Sequence, residues 1–146
     1  MKVISHRGNL DGPNTSENSP EYIQQTLDLG YDVEVDIYYA DGDLWLGHDK
    51  PQYKIKLNYL LNKHIWCHIK NIQCLQILHN TDVNYFYHSV EDIAITSKGY
   101  LWHHPNSNWK YLTPSSIAVC PEKNNFDISN TDLYGICTDY VLNYEK

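Results

Sequence analysis

The amino-acid sequence predicts an α/β fold, a reduced (β/α)8 TIM-type barrel with short or missing helices. Three observations carry that expectation. Short β-branched and aromatic runs alternate with short helical stretches along the chain, the pattern of parallel βα units. Residues capable of chemistry follow the ends of several strand runs, where barrels of parallel strands gather their sites. The chain has only 146 residues, against roughly 250 for a full barrel of this type. Several helices must therefore give way to turns, and one βα unit can be missing altogether.

The elements follow in order. Residues 2–6 read as a strand with Val3 and Ser5 on one face and Ile4 and His6 on the other. A polar loop punctuated by Gly8, Gly12 and Pro13 leads to an N-cap at Ser16 or Asn18, with Pro20 in the first turn. Tyr22, Ile23, Thr26, Leu27 and Leu29 give that helix its apolar side, and Gly30 closes it. Residues 32–38 form the most informative strand: Val33, Val35 and Ile37 share one face, Glu34, Asp36 and Tyr38 the other. Asp41-Gly42 marks a hairpin turn into residues 44–49. Later strands are expected at 65–70, 84–88, 99–103, 116–121 and 133–138, with helical stretches at 57–62, 72–80 and 90–96. Only residues 122–132 separate the last two strands, which is where a unit would be lost. No repeat or linker interrupts the chain, so residues 1–146 are read as one domain.

Composition narrows the function. A net charge of −7 argues against nucleic acid as the ligand, since phosphate backbones are bound by basic patches and no run of Lys and Arg is present. No apolar run approaches the roughly 18 residues of a membrane span, and residues 1–6 lack the apolar core of a signal peptide. The expectation is a cytoplasmic protein whose four cysteines, Cys67, Cys74, Cys120 and Cys137, are reduced core residues.

Two carboxylates at alternate positions of one strand point the same way. Glu34 and Asp36 are either a solvated strand face or, if they point inward, a pair that needs a cation or a proton between them. Oxygen ligands of that kind suit Mg2+ or Ca2+. His6 ends a strand and precedes Arg7-Gly8; His48-Asp49 ends the hairpin arm. Imidazoles trade protons near neutrality, and a guanidinium can grip a phosphate in a fork. On the strand at 65–70, His68 and Lys70 share a face with Trp66, an unusual pairing for a structural core.

His6-Arg7-Gly8, Glu17-Asn18-Ser19, the helix to Gly30, Glu34-Val35-Asp36, Asp41-Gly42 and His48-Asp49 together resemble the N-terminal signature of glycerophosphodiester phosphodiesterases, in order and in spacing. The closing run Gly135-Ile136-Cys137-Thr138-Asp139-Tyr140 is similar to that family's last strand. The resemblance covers about the first 50 residues and the last few, and is thin between them. It implies a TIM-barrel enzyme acting on a glycerophosphodiester-like or lysophospholipid-like substrate, whose own hydroxyl attacks phosphorus to give a cyclic phosphate. It also implies His6 and His48 as the acid–base pair, Arg7 as a phosphate contact, and Glu34 and Asp36 as two ligands of a divalent ion.

The chain departs from the family where a third-strand Glu-x-Lys becomes His68-Ile69-Lys70. Lys70 carries over as a phosphate contact. His68 is either the third metal ligand, which would admit Mn2+ or Zn2+ more readily, or a protonated phosphate contact. Glu122, after Pro121, is a candidate replacement carboxylate. The rival expectation is a catalytically silent barrel that binds phosphate-bearing ligands or a partner protein.

Overall fold

The structure is a computed structural model describing residues 1–107 and 109–144. Its centre is a ten-stranded mixed sheet that curls into a half-barrel. The strands are β1 (Lys2–His6), β2 (Asp32–Ala40), β3 (Asp43–Leu46), β4 (Tyr53–Ile55), β5 (Ile65–Ile69), β6 (Tyr85–Tyr87), β7 (Ile93–Ile95), β8 (Leu101–His103), β9 (Ser116–Val119) and β10 (Gly135–Thr138). The helices are α1 (Pro20–Asp28), α2 (Leu57–Leu60) and α3 (Ile72–Leu78). In spatial order β6-β5-β2-β1-β10-β9-β8 run parallel, and β7 adds antiparallel to β8.

The expected (β/α)8 TIM barrel is therefore corrected. Such a barrel needs eight helices, and the described residues form three short α-helices. The physical reason lies in the connections. Among the described residues, the segments joining β8 to β9 and β9 to β10 hold only single 3-10 turns, and β7 to β8 is a hairpin rather than a crossover. The edges β6 and β7 share no ladder; the Ser97 N–H donates to the Tyr85 carbonyl at 2.7 Å, and the Tyr85 N–H to Ser97 Oγ at 3.0 Å.

Other elements moved as well. The stretch 90–96, expected to be helical, holds β7: Ile93, Ala94 and Ile95 alternate in burial, and their run is too short and β-branched for a helix. The N-cap of α1 is Ser19, whose Oγ accepts from the Tyr22 N–H, rather than Ser16 or Asn18. Beyond Leu29, Gly30 takes the left-handed conformation that ends the helix.

Alternation along the strands separates two faces. Val33, Val35 and Ile37 pack with Ile65, Cys67 and Ile69 against Ile23 of α1, Leu60 of α2 and Leu78 of α3. The concave face is filled at one end by Ile4, Trp66, Phe86, Trp102 and Ile117. The rings of Phe86 and Trp102 stack at 4.4 Å and those of Trp66 and Trp102 lie 6.0 Å apart, so large aromatics occupy the space that a narrow sheet encloses. One step towards the C-terminal ends of the strands, the concave face turns polar: His6, Glu34, Asp36 and His68.

One edge of β2 has two successive partners. The Glu34 carbonyl accepts from the Arg7 N–H at 2.9 Å, and the Asp36 carbonyl from the Gly47 N–H at 3.1 Å. The end of β1 and the segment after β3 thus dock in series on β2, two residues or about 7 Å apart. The opposite edge carries β5, with the Lys70 N–H donating to the Ile37 carbonyl at 2.9 Å. Among the described residues no helix is long and apolar enough to cross a membrane. The four cysteines are free and buried.

Candidate active site

At the C-terminal end of the parallel strands, charged side chains from β1, β2, β5 and the segment after β10 converge. Glu34 and Asp36 are both buried. Two buried carboxylates at this spacing would repel, and three neighbouring cations offset that. Asp36 Oδ2 lies 3.0 Å from Arg7 Nε; Asp36 Oδ1 lies 3.2 Å from His68 Nδ1 and 3.7 Å from Lys70 Nζ. Burial opposes the charge on Asp36, yet the His68 hydrogen bond and the Arg7, His68 and Lys70 charges hold it well below the usual carboxylate range. His68 also stands 3.6 Å from Glu34 Oε1. Burial lowers its basicity, and the Asp36 and Glu34 carboxylates more than restore it, so the ring is held above the ordinary histidine value.

Asn18 fixes this arrangement from the loop. Its Nδ2 donates to Asp36 Oδ2 at 3.0 Å, and its Oδ1 accepts from the Asp36 N–H at 2.9 Å. The residue adopts φ 62°, which asparagine tolerates better than most side chains. Arg7, at φ 59°, is clamped between Asp36 and Glu17, whose Oε2 accepts from Nη1 at 3.2 Å.

His6 belongs to a second constellation. Its Nδ1 donates to Asp139 Oδ1 at 2.7 Å, and its Nε2 faces Glu34 Oε2 at 4.0 Å. Burial pushes the imidazole down, but the bonds to Asp139 and Cys120 and the charge of Glu34 lift it to about 10. Burial likewise opposes the Asp139 charge, and the His6 bond and charge, the Asn9 amide and Lys123 hold that carboxyl at about 2. His6 is therefore held in its charged form, with the Asp139 carboxylate on one nitrogen and Glu34 4.0 Å from the other. Asn9 donates to Asp139 Oδ1 at 2.9 Å and to Glu17 Oε1 at 2.8 Å, tying the two constellations together.

A cavity of about 180 Å3 opens here, lined by His6, Arg7, Glu34, His68, His104 and Cys120 among others. Beside it His68 stacks between Phe86 and His88, each with ring centroids at 4.9 Å, and His88 lies 3.6 Å from His104. Burial, with His88, His68 and His103 nearby, pushes His104 down to about 3. It is a neutral wall beside a charged His68. A larger cavity, about 510 Å3, lies at the opposite end of the strands between Asp32, His64, Trp66 and Tyr134 and includes none of these residues.

The sequence-derived site residues divide as follows. His6, Arg7, Glu34, Asp36, His68 and Lys70 come together. His48 does not line the cavity; its side chain is 39% exposed and its Nδ1 bonds Asp49 Oδ1 at 2.8 Å. Its backbone nonetheless follows Gly47, which is bonded to the Asp36 carbonyl. Glu122 is not in the cluster itself: it lies in the 3-10 turn Pro121–Asn124 and its Oε1 accepts from the Asp139 N–H at 3.2 Å. Asp139, Cys120 and Asn9 received no role from the sequence. Asp139 was visible only as part of a strand resemblance, and its partner His6 is 133 positions away.

Glu34, Asp36 and His68 offer donor atoms within 4.8 Å of one another. Asp36 Oδ1 is buried, and although His68 and Lys70 face it at 3.2 and 3.7 Å neither makes a well-aligned hydrogen bond to it, so these side chains fit a divalent ion. With Arg7, His68 and Lys70 in place, the carboxylate pair does not require one for charge balance. Comparison with models of protein families, with curated proteins and with solved structures gives no match.

Proposed function

We propose that the chain is a phosphodiesterase acting on a small glycerophosphodiester-like substrate, with His6 as the proton donor. The observation that supports this most strongly is the His6–Asp139 pair at 2.7 Å, set beside Arg7 on a cavity of about 180 Å3. That volume is below the roughly 300–1,000 Å3 of ordinary ligand pockets. It suits a phosphoryl group with a short substituent, the rest of the substrate lying outside. Arg7 and Lys70, each paired with a carboxylate of the cluster, are the cations that would meet the phosphate.

Asp139 holds the ring by Nδ1, so the proton on Nε2 is the one delivered to the leaving oxygen. His48 likewise has Nδ1 on a carboxylate, and its segment docks on β2 two residues beyond that of His6. It is the candidate base for the attacking hydroxyl, which can belong to the substrate and yield a cyclic phosphate. Glu34, Asp36 and His68 would hold a divalent ion, Mg2+, Ca2+ or Mn2+, whose charge would stabilise the phosphoryl oxygens.

A second reading, a silent phosphate-binding protein, is favoured by one observation: His48 is half-exposed and outside the cavity. Turnover of a panel of phosphodiesters in Mg2+, Ca2+ and Mn2+ separates the two. The enzyme reading expects hydrolysis of at least one short-chain diester, and a fall of about 10²–10⁴-fold in His6→Asn. Saturable binding of diesters with no turnover in any metal leaves the silent reading.

A further inference from the structure

Beside the Glu34–Asp36–His68 group lies a second set of donors of different chemistry. Cys120 follows β9 with φ 48° and ψ 56°, a left-handed conformation that non-glycine residues seldom adopt and that clusters at functional sites. In that conformation the buried thiol bonds Asp139, Sγ to Oδ2 at 3.9 Å, while Asp139 Oδ1 holds His6 Nδ1 at 2.7 Å. One donor atom from each of His6, Cys120 and Asp139 lies within 4.8 Å of the other two. Glu122 Oε1 accepts the Asp139 N–H at 3.2 Å and Asn9 donates to Asp139 Oδ1, so the carboxylate is oriented from behind. His6 and Cys120 both line the cavity, which leaves a coordination position open to solvent or ligand.

Imidazole, thiolate and carboxylate together are the ligand set of a borderline ion, and three protein donors with a fourth position open is the pattern of reactive zinc sites. Glu34, Asp36 and His68 contain no sulfur and suit harder ions.

We propose that His6, Cys120 and Asp139 form a separate Zn2+-selective site whose occupation shuts off His6. The second half rests on the role given to His6 above. Zinc on Nε2 would displace the proton that His6 delivers, and zinc on Nδ1 would leave a neutral ring whose remaining N–H is too weak an acid to give its proton up. On binding, the thiol and imidazolium protons are released to solvent, and Lys123, whose Nζ stands 3.8 Å from Asp139 Oδ2, gives up its contact to the metal.

The experiment is titration of the purified chain with Co2+, followed by Zn2+. Thiolate-to-cobalt absorption should appear, saturate, and be bleached by Zn2+. It should vanish in Cys120→Ser and weaken in Asp139→Asn, yet persist in Cys137→Ser, whose thiol is outside the donor group and does not line the cavity. Circular dichroism confirms that each variant is folded. Absence of the band in the parent, or its survival in Cys120→Ser, overturns the site. In the phosphodiester assay Zn2+ should depress turnover of the parent and lose at least about tenfold in potency against Cys120→Ser. Zinc binding that leaves turnover untouched overturns the inhibitory role. A cobalt band through Cys120 in a protein that cleaves no diester keeps the site and removes the phosphodiesterase reading.

Discussion

Asn18 occupies a position in which a side chain replaces one backbone partner of β2 and also holds a buried carboxylate. It meets both the N–H and the carboxylate of Asp36, and its own N–H bonds the Arg7 carbonyl at 3.0 Å. Asn18→Ala leaves the buried Asp36 N–H without a partner and should cost about 1–3 kcal/mol in chemical denaturation; Asn18→Asp, placing a third carboxylate there, should cost more. His6 and Asp139 make a pH-dependent pair. The folded His6 is raised from 6.5 to about 10, so its stabilisation is complete below 6.5 and is lost as pH rises towards 10. Asp139 is lowered, so its share is present above the usual carboxylate value and is lost as pH falls towards about 2. The stability difference between parent and His6→Asn should therefore be largest near neutrality or just below and shrink between pH 6.5 and 10; a difference that grows with pH contradicts the pair. His6, Arg7, Glu34, Asp36 and His68 were legible as candidates because strand alternation and loop position are local properties. Asp139 and Cys120 were not, because what gives them a role is proximity to residues more than 110 positions away.

At the scale of elements, the site depends on how closely β1 approaches β10. Gly135 faces Lys2 in register, and a Cβ there would lie 2.5 Å from the Lys2 carbonyl oxygen and 2.9 Å from its Cβ. Gly135→Ala should push the strands apart, cost about 1–3 kcal/mol and loosen the His6–Asp139 bond carried by their ends. A melting temperature equal to the parent's would show that the strands have slack. The elements most legible in the sequence were β1, β2, β5 and α1, where alternation or a capped helical stripe is unambiguous. The antiparallel β7 was misread as helix, since an apolar run of so few residues carries no decisive period, and β4, Tyr53–Ile55, left no signal because its pairing with β3 is tertiary.

The whole molecule shows why the fold class was only half legible. Parallel strand order and a site at the strand C-terminal ends follow from the βα rhythm, but the number of helices depends on how each connection crosses the sheet. The short connections around β7 to β10 form a hairpin and 3-10 turns, and the concave side is filled by Trp66, Phe86 and Trp102 in place of a fully closed wall. A sheet of this kind still presents His6, Arg7, Glu34, Asp36 and His68 on one rim, and the proposed chemistry further asks that His48 turn its ring towards that rim. Phosphorus NMR of a short-chain glycerophosphodiester, incubated with the parent chain and with His6→Asn in the presence of Mg2+ or Ca2+, tests this most directly. The account predicts that the diester signal gives way to a cyclic phosphate or a monoester with the parent and persists with His6→Asn; a diester unchanged by the parent, or consumed equally by both proteins, would contradict it.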